Sequence, residues 1–460
     1  VLELKNKNQL SSEAFKLAQG QKLVRYHEVT YMPVDFETRD YSVPPDADRT
    51  IWLPQDRKAI RRLAAETFST LFVSDGELAQ FDYMVAQHAD QVDGQATSLL
   101  VRTPAGLKEL DGQGSLVEVT GEFRPNALVP MLNEDTGDKD RVFSVVSEWL
   151  SSEEEAHALL RHLATSLAPG WSAVKYVLLL GEGRNGKGLL LRMLSALFGI
   201  ENISSVTRQA MSEKSPVVTE LNGKLLNIIY DGQAEYVKDS GIEKTLVAGE
   251  PASIRKLYES SSTVVQTNAL FIESLNQEPK TGDKSSALQK RLVRFQFPNI
   301  YDLNHKFARS MLTEKSLGAF MSLVIDHYVG EDDVAAALAP TSKGLELQLE
   351  QMYANSIGLQ FLRYLEESDA LGAAGIVGSG MHELVQSFQS WRIKENDLGT
   401  WAEPDVERVF GPIVITERKS VRVNGKPRKV RVVIALRTEA TAYIASLKGE
   451  ATDDTAVVDD

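Results

Sequence analysis

Tyr176-Val177-Leu178-Leu179-Leu180-Gly181-Glu182-Gly183-Arg184-Asn185-Gly186-Lys187-Gly188 decides the reading of this 460-residue chain. Val177 to Leu180 form an apolar run of the kind a buried parallel strand carries, and a glycine loop follows it. Four residues separate Gly181 from Gly186, and Lys187 comes next, which is the spacing of a nucleotide phosphate loop. Glycines let successive backbone N–H groups turn inward around phosphate oxygens. Lys187 adds a point charge where a helix presents its positive end. Leu190, Met193, Leu194 and Leu197 then fall on one helical face, and Gly199 closes that helix. The candidate nucleotide-binding set is therefore Gly181, Gly183, Arg184, Asn185, Gly186, Lys187, Gly188 and Leu189. A fortuitous glycine-rich turn is the plain alternative, but it gives no reason for the flanking strand and helix. One position departs from the pattern. The residue after the lysine is normally Ser or Thr, whose hydroxyl binds Mg²⁺, and here it is Gly188. Either a water completes the Mg²⁺ shell, since the ion commonly keeps several, or nucleotide chemistry is impaired.

The rest of the composition narrows the class. Hydrophobic residues are 43% and charged residues 25%, an ordinary globular balance, and the length allows about three domains. No apolar run is long enough to span a membrane, and no signal peptide is visible. Cysteine is absent, which excludes disulfides and thiolate zinc sites. The seven histidines are scattered and show no metal-ligand spacing. The net charge of −14 argues against a protein that coats nucleic acid with its whole surface, but it leaves room for a localised basic site. A cytoplasmic location is expected, in a host cell if the protein is viral.

Along the chain, residues 1–150 read as a mixed α/β region for oligomerisation or loading. Tyr26–Met32 is strand-like, Pro44-Pro45 marks a turn, 55–72 is an amphipathic helix, and 98–122 are strands punctuated by glycines. Ser151 with Glu154 fits a capping box for a helix to about Leu167. Residues 151–350 hold alternating strands and helices, the pattern of a parallel α/β core, and end in helices. Residues 351–448 change to helices followed by a basic hairpin. The last stretch, 449–460, carries five acids and no base and reads as a disordered tail.

Within the core, Leu225–Tyr230 form a second apolar strand ending at Asp231, which can hold Mg²⁺ through water beside the phosphate loop. A turn-capping acid is the alternative. The next position is Gly232, where many ATPases carry a second acid that polarises water, and Glu235 is the nearest substitute, or else a solvated loop carboxylate. Ser240 and Glu243 read as another capping box. A third strand, Ala269–Ser274, leads to Asn276, either a water-orienting amide or a turn residue before Pro279. Arg291 opens a fourth strand. It is a candidate arginine finger supplied in trans, or a surface arginine flanking the strand.

These motifs in order, Gly181-x-Gly183-x-Asn185-Gly186-Lys187, strand-Asp231, Gly249-Glu250 with Arg255-Lys256-Leu257-Tyr258, Asn276-x-x-Pro279 and Lys290-Arg291-Leu292, resemble superfamily 3 helicases. More narrowly they resemble the primase-helicase branch of poxviruses, phages and plasmids, over roughly 150–300. Gly188 and Gly232 are the departures. The resemblance implies an AAA+ type P-loop core, a hexameric ring, ATP and Mg²⁺ as cofactors, and 3′→5′ unwinding on one strand. It also implies a pore hairpin between the Asp231 and Asn276 strands. Arg255 and Lys256 lie there, either touching the DNA backbone or serving structure and subunit contacts.

The C-terminal part is read independently. From Arg418 to Arg431, seven of fourteen residues are Lys or Arg, and none is acidic. Asn424-Gly425 is a hairpin turn between Val421–Val423 and Val430–Leu436. Helix-like segments at 356–367, 380–394 and 403–410 precede it, so a winged-helix domain is expected, with the hairpin as its wing. Lys419, Arg422, Lys426, Arg428, Lys429 and Arg431 are then candidate phosphate contacts. A solvated edge hairpin guarded by its cations is the alternative.

The combined reading is an α/β protein with a mixed N-terminal region, an ATPase core and a C-terminal winged helix, acting as a ring helicase on single-stranded or forked DNA in viral, phage or plasmid replication. A primase or polymerase is an expected partner, the primase being encoded separately or removed. A DNA-dependent ATPase that loads or melts without unwinding, and a nucleotide-binding structural protein with impaired hydrolysis, are the alternatives.

Overall fold

The computed structural model describes residues 7–26, 29–35, 49–55, 75–92, 98–120, 122–168, 174–232, 237, 239–255, 262–278, 286–329, 338–355, 357–368, 381–394, 409, 414–423, 426–436 and 440. The chain divides into two units, Val1–Thr341 and Ser342–Asp460.

The first unit opens with α1 (Lys7–Gly20), β1 (Val24–Tyr26), β2 (Val29–Asp35), β3 (Thr50–Gln55), α2 (Asp75–His88) and β4 (Asp90–Gln91), which make a four-stranded sheet ordered β3-β2-β1-β4. A second four-stranded sheet follows from β5 (Leu99–Thr103), β6 (Gly106–Leu110), β7 (Leu116–Val117) and β8 (Ala127–Met131), ordered β7-β6-β5-β8. Alternation along β5 and β6 serves two cores. Leu99, Val101 and Leu110 join the core shared with the central helices, while Leu100 and Leu107 join the one holding α1 and α2. The predicted helix at 55–72 and the turn at Pro44-Pro45 lie outside the described residues, apart from Gln55, which ends β3.

Two helices lead into the phosphate-loop strand, α3 (Thr136–Leu150) and α4 (Glu153–Ala164). The N-cap expected at Ser151, in a box with Glu154, falls one residue later. Ser151 takes the left-handed conformation that ends α3, with φ 55°, and its N–H returns to Glu148 O at 3.2 Å. Ser152 is the N-cap of α4, and its Oγ accepts the Glu155 N–H at 3.2 Å. One helix closes and the next opens on adjacent residues, so the left-handed turn at Ser151 passes the N-cap to Ser152.

The central sheet comprises β9 (Tyr176–Leu180), β10 (Ile203–Ser204), β11 (Leu226–Gly232), β14 (Leu270–Leu275) and β15 (Leu292–Gln296). The intervening elements are α5 (Lys187–Phe198), α6 (Arg208–Ser212), α7 (Gly241–Val247), an antiparallel hairpin of β12 (Ala252–Arg255) and β13 (Ser262–Val265), and α8 (Ser286–Gln289). All strand pairs are parallel in the order β10-β11-β14-β9-β15. One face, with Val177, Leu179, Ile228, Ile272 and Phe295, packs into the core of α3, α4 and α5, joined there by α9 (His305–Met311) and α10 (Glu314–Asp326). The other, with Tyr176, Leu178, Leu180 and Phe271, packs against α6, α7 and the β12–β13 hairpin. Burial on both faces explains the unbroken apolar run of β9. Truncating Leu179 or Leu190, both fully buried, to Ala would cost roughly 2–5 kcal/mol.

The second unit contains α11 (Ser342–Asn355), α12 (Ile357–Ser368), α13 (Met381–Lys394) and a long antiparallel hairpin of β16 (Val414–Val423) and β17 (Lys426–Leu436). Phe361, Phe388 and Trp391 pack with Val414 and Val433 in its core. The expected helix at 403–410, the Asn424-Gly425 turn and the acidic tail 449–460 lie outside the described residues, apart from Val409, which is helical.

Candidate nucleotide site

The loop after β9 is built around two glycines that tolerate no side chain. Gly181 has φ 144°, and a Cβ there would lie 2.6 Å from Asn185 Nδ2 and overlap the Phe297 carbonyl. Gly186 has φ 99°, and its Cβ would lie 2.8 Å from the Trp149 indole. Asn185 is buried and pins the loop from within. Its Nδ2 donates to Phe297 O at 3.2 Å, and its Oδ1 accepts from Lys187 N at 3.4 Å. Lys187 opens α5, only 4% exposed. Its ammonium donates to the Gly181 carbonyl and, at 3.1 Å, to Glu182 O. Burial lowers its pKa from the usual lysine range, against the pull of Asp231. Gly183 and Gly188 have open space around a built Cβ, so packing does not demand glycine at either. Leu189 is buried, and its N–H is spent on Gly186 O at 3.0 Å. Arg184 is exposed, at φ 60°.

A strap that sequence reading missed holds this loop from outside. Phe297 N donates to Leu180 O at 2.8 Å and Tyr301 N to Arg184 O at 2.8 Å. Asn299 Nδ2 reaches Glu148 O at 2.8 Å and Ser151 Oγ at 2.9 Å, and the Tyr301 hydroxyl reaches Glu148 O at 3.2 Å. Residues 297–301 thus tie the loop to the corner between α3 and α4. The only local signal was Pro298, which ends β15 by supplying no ladder N–H.

Three predicted residues gather at the carboxyl end of the sheet. β14 lies between β9 and β11, so Asn276, exposed just after it, falls between the phosphate loop and Asp231. Gly181 N donates to Leu275 O at 3.2 Å, and Gly232 is registered opposite Leu275. Asp231 is exposed and near enough to act on Lys187. The Asn276–Glu278 turn is anchored by a buried bidentate pair, with Arg294 Nε to Glu278 Oε2 at 2.7 Å and Nη2 to Oε1 at 2.8 Å. Gln289 accepts from the same Nη2 at 2.6 Å.

Arg291 stands elsewhere. Its carbonyl accepts from Tyr176 N at the opposite, amino end of β9, so its own phosphate loop is a strand-length away. Arg255 is exposed at the end of β12, opposite Ser262. Glu235 and Lys256 lie outside the described residues.

Beneath the Asp231 strand is a buried polar cluster. The Tyr176 hydroxyl donates to Glu273 Oε2 at 3.1 Å. Arg208 Nε donates to Glu243 Oε1 at 3.0 Å, and its guanidinium lies 5.7 Å from the Tyr176 ring centre. Burial pushes the Glu273 carboxyl up to about 7 despite Arg208. Burial opposes the Arg208 charge, but Glu243 keeps its pKa above the ordinary value. The box expected at Ser240 and Glu243 is therefore not made: the Ser240 side chain makes no capping hydrogen bond to α7, and Glu243 pairs with Arg208. The buried Arg208 cation takes that carboxylate instead.

In the second unit, the hairpin register sets Arg418 opposite Arg431, Lys419 opposite Val430, Ser420 opposite Lys429, Val421 opposite Arg428, Arg422 opposite Pro427 and Val423 opposite Lys426. The Arg418, Lys419 and Lys429 side chains are exposed.

With this geometry in hand, the chain can be set beside known proteins. A family of unknown function, DUF5906, matches residues 179–294, the heart of the central sheet. Two solved A-form apo structures of the NrS-1 C-terminal region share the fold. One is 12% identical at TM-score 0.52, covering 92% of this chain and 98% of its own. The other is 13% identical at TM-score 0.51, covering 92% of this chain and 100% of its own. No curated protein matches. Among the described residues, no helix is long and apolar enough to cross a membrane, and no group of His, Cys, Asp and Glu has a metal-site arrangement.

Proposed function

We propose that this protein is an ATP-driven helicase of superfamily 3 type, working as a hexameric ring on single-stranded or forked DNA in viral, phage or plasmid replication, in the host cytoplasm. One observation carries the reading. The Lys187 ammonium is folded onto the carbonyls of its own loop, at the sheet end that also holds Asp231 and Asn276. Loop carbonyls are poor lasting partners for an ammonium aimed at a phosphate cradle, and the β- and γ-phosphates of ATP would replace them. The inserted β14 supports an AAA+ type core, because it places an amide between loop and acid.

The residues present fit Mg²⁺. Asp231 is exposed beside Lys187, and the open space at Gly188 admits water where a hydroxyl would otherwise stand. Asp231 would hold the ion through water, and Mg²⁺ when bound neutralises charge developing on the phosphates. Lys187 binds the phosphates, and the loop N–H groups orient them. Asn276 orients the attacking water. Arg291, remote from its own loop, serves the nucleotide of a neighbouring subunit. Arg255, at the end of β12, and Lys256, next in sequence, follow DNA in the pore. Lys419, Arg422, Lys426, Arg428, Lys429 and Arg431 hold DNA phosphates. A primase or polymerase partner completes the replication role.

The decisive measurement is Mg²⁺-dependent ATP hydrolysis with and without single-stranded DNA, alongside Lys187→Ala. DNA-stimulated turnover lost in the variant supports the reading. Nucleotide binding without turnover refutes it. Strand displacement then separates an unwinding ring from a loader.

A further inference from the structure

Gly232 occupies the place of the second acid, and the neighbouring strand explains why it is glycine. A Cβ built on Gly232 would overlap Glu273 Oε1 and lie 2.8 Å from Glu273 Cδ and 2.7 Å from Leu275 Cδ2. The Glu273 carboxylate therefore fills the volume in which a residue-232 side chain would begin. Gly232 is half-buried and Asp231 is exposed, so this volume lies directly under the rim of the sheet where the phosphate loop opens.

The carboxylate is held rather than merely enclosed. Tyr176, from β9, donates to Oε2, and Arg208, from α6, attracts it. Glu243 from α7 shares that cation, and Glu278 beyond β14 adds a like charge. Two buried acids around one guanidinium make a costly arrangement for structure alone. Apolar residues of similar volume would pack this position without that cost. A buried carboxyl raised to about 7 by burial also suits proton transfer near neutrality.

We propose that Glu273 supplies, from the adjacent strand, the water-activating carboxylate that residue 232 lacks. This rests on the ATP-hydrolysis reading above. The oxygen of a water bonds to the γ-phosphorus as the bond to the β,γ-bridging oxygen breaks. The electron pair of that bond leaves on ADP. The water proton passes to the Glu273 carboxylate and from there to solvent.

The test compares wild type, Glu273→Gln, Glu273→Ala and the double variant Gly232→Glu/Glu273→Ala. Each is measured for melting temperature, binding of a fluorescent ATP analogue with Mg²⁺, and turnover. Glu273→Gln keeps an acceptor for the Tyr176 hydroxyl. It is expected to bind nucleotide normally and lose about 10²–10⁴-fold in turnover. Returning a carboxylate to position 232 should raise turnover at least about tenfold above Glu273→Ala, by partial return of the general-base contribution. A purely structural acid would not be rescued that way. Wild-type turnover in Glu273→Gln overturns the proposal, as does a folded, nucleotide-binding double variant no faster than Glu273→Ala. If wild type itself binds nucleotide but does not turn over, the hydrolysis reading fails first and takes this one with it.

Discussion

The start of α5 and the end of β11 each carry a glycine where nucleotide hydrolysis commonly uses a functional side chain. After β9, Gly188 is exposed, and a side chain there would meet nothing within 4 Å. At the end of β11, Gly232 is walled by Glu273 and Leu275. The first glycine leaves room that water or a hydroxyl can fill. The second is required by a neighbour already in the space. Two identical departures in the sequence thus have opposite physical surroundings: one glycine stands in open space, the other against a wall.

Variants can break that contrast or sharpen it. The largest effect is expected away from both glycines. Arg291→Ala should lower turnover by about 10³–10⁵-fold while nucleotide binding and assembly persist, because Arg291 lies at the far end of β9 from its own loop. Mixing it with Lys187→Ala subunits should restore some turnover if the arginine works in trans, and normal turnover in Arg291→Ala alone would remove it as a finger. Gly232→Ala comes next. Its methyl would overlap Glu273 Oε1, so a stability loss of about 1–3 kcal/mol is expected by denaturant titration, with a loss of turnover as Glu273 is displaced. An unchanged midpoint would show that the wall yields.

Neutralising the exposed Lys419 and Lys429 tests a region with no part in the contrast. Each lost phosphate contact should flatten the salt dependence of single-strand binding by about 0.7 in log–log slope, with basal hydrolysis unchanged. An unaltered slope would leave the hairpin a guarded edge. The smallest effect belongs to Gly188→Ser. Stability should stay within about 0.5 kcal/mol, and turnover should hold or rise as a hydroxyl replaces water beside Mg²⁺. A collapse in turnover would mean that the open space at this position is itself needed.

How much of the fold and of the candidate site was legible in the sequence depended on range. The strand, loop and helix from Tyr176 to Phe198 were readable because their signals are local: an apolar run, fixed glycine spacing, then a helical stripe. Asp231 was readable as the end of an apolar strand. The two capping boxes were not. At Ser151-Ser152, either serine has a glutamate three residues on, and only the left-handed turn at Ser151 selects Ser152 as the cap. At Ser240, the glutamate in the box position pairs instead with Arg208, 35 residues earlier. The strap from Phe297 to Tyr301 was equally silent, because its bonds run to Leu180, Arg184 and Glu148 through backbone groups that carry no residue code.

By itself the sequence determined which residue types stand where: a phosphate-type loop opening a helix, an acid ending a strand, an amide after another, a finger-like arginine and a basic hairpin. Those are properties of neighbours in the chain, held by local propensity and periodicity. Only the tertiary structure decided which of them meet. Strand order set Asn276 between Lys187 and Asp231, strand direction set Arg291 at the opposite, amino end of the sheet, and cross-strand packing placed Glu273 against Gly232. Such pairings join residues dozens of positions apart, and burial enforces them because a charged side chain inside the sheet must find its partner wherever the fold provides one.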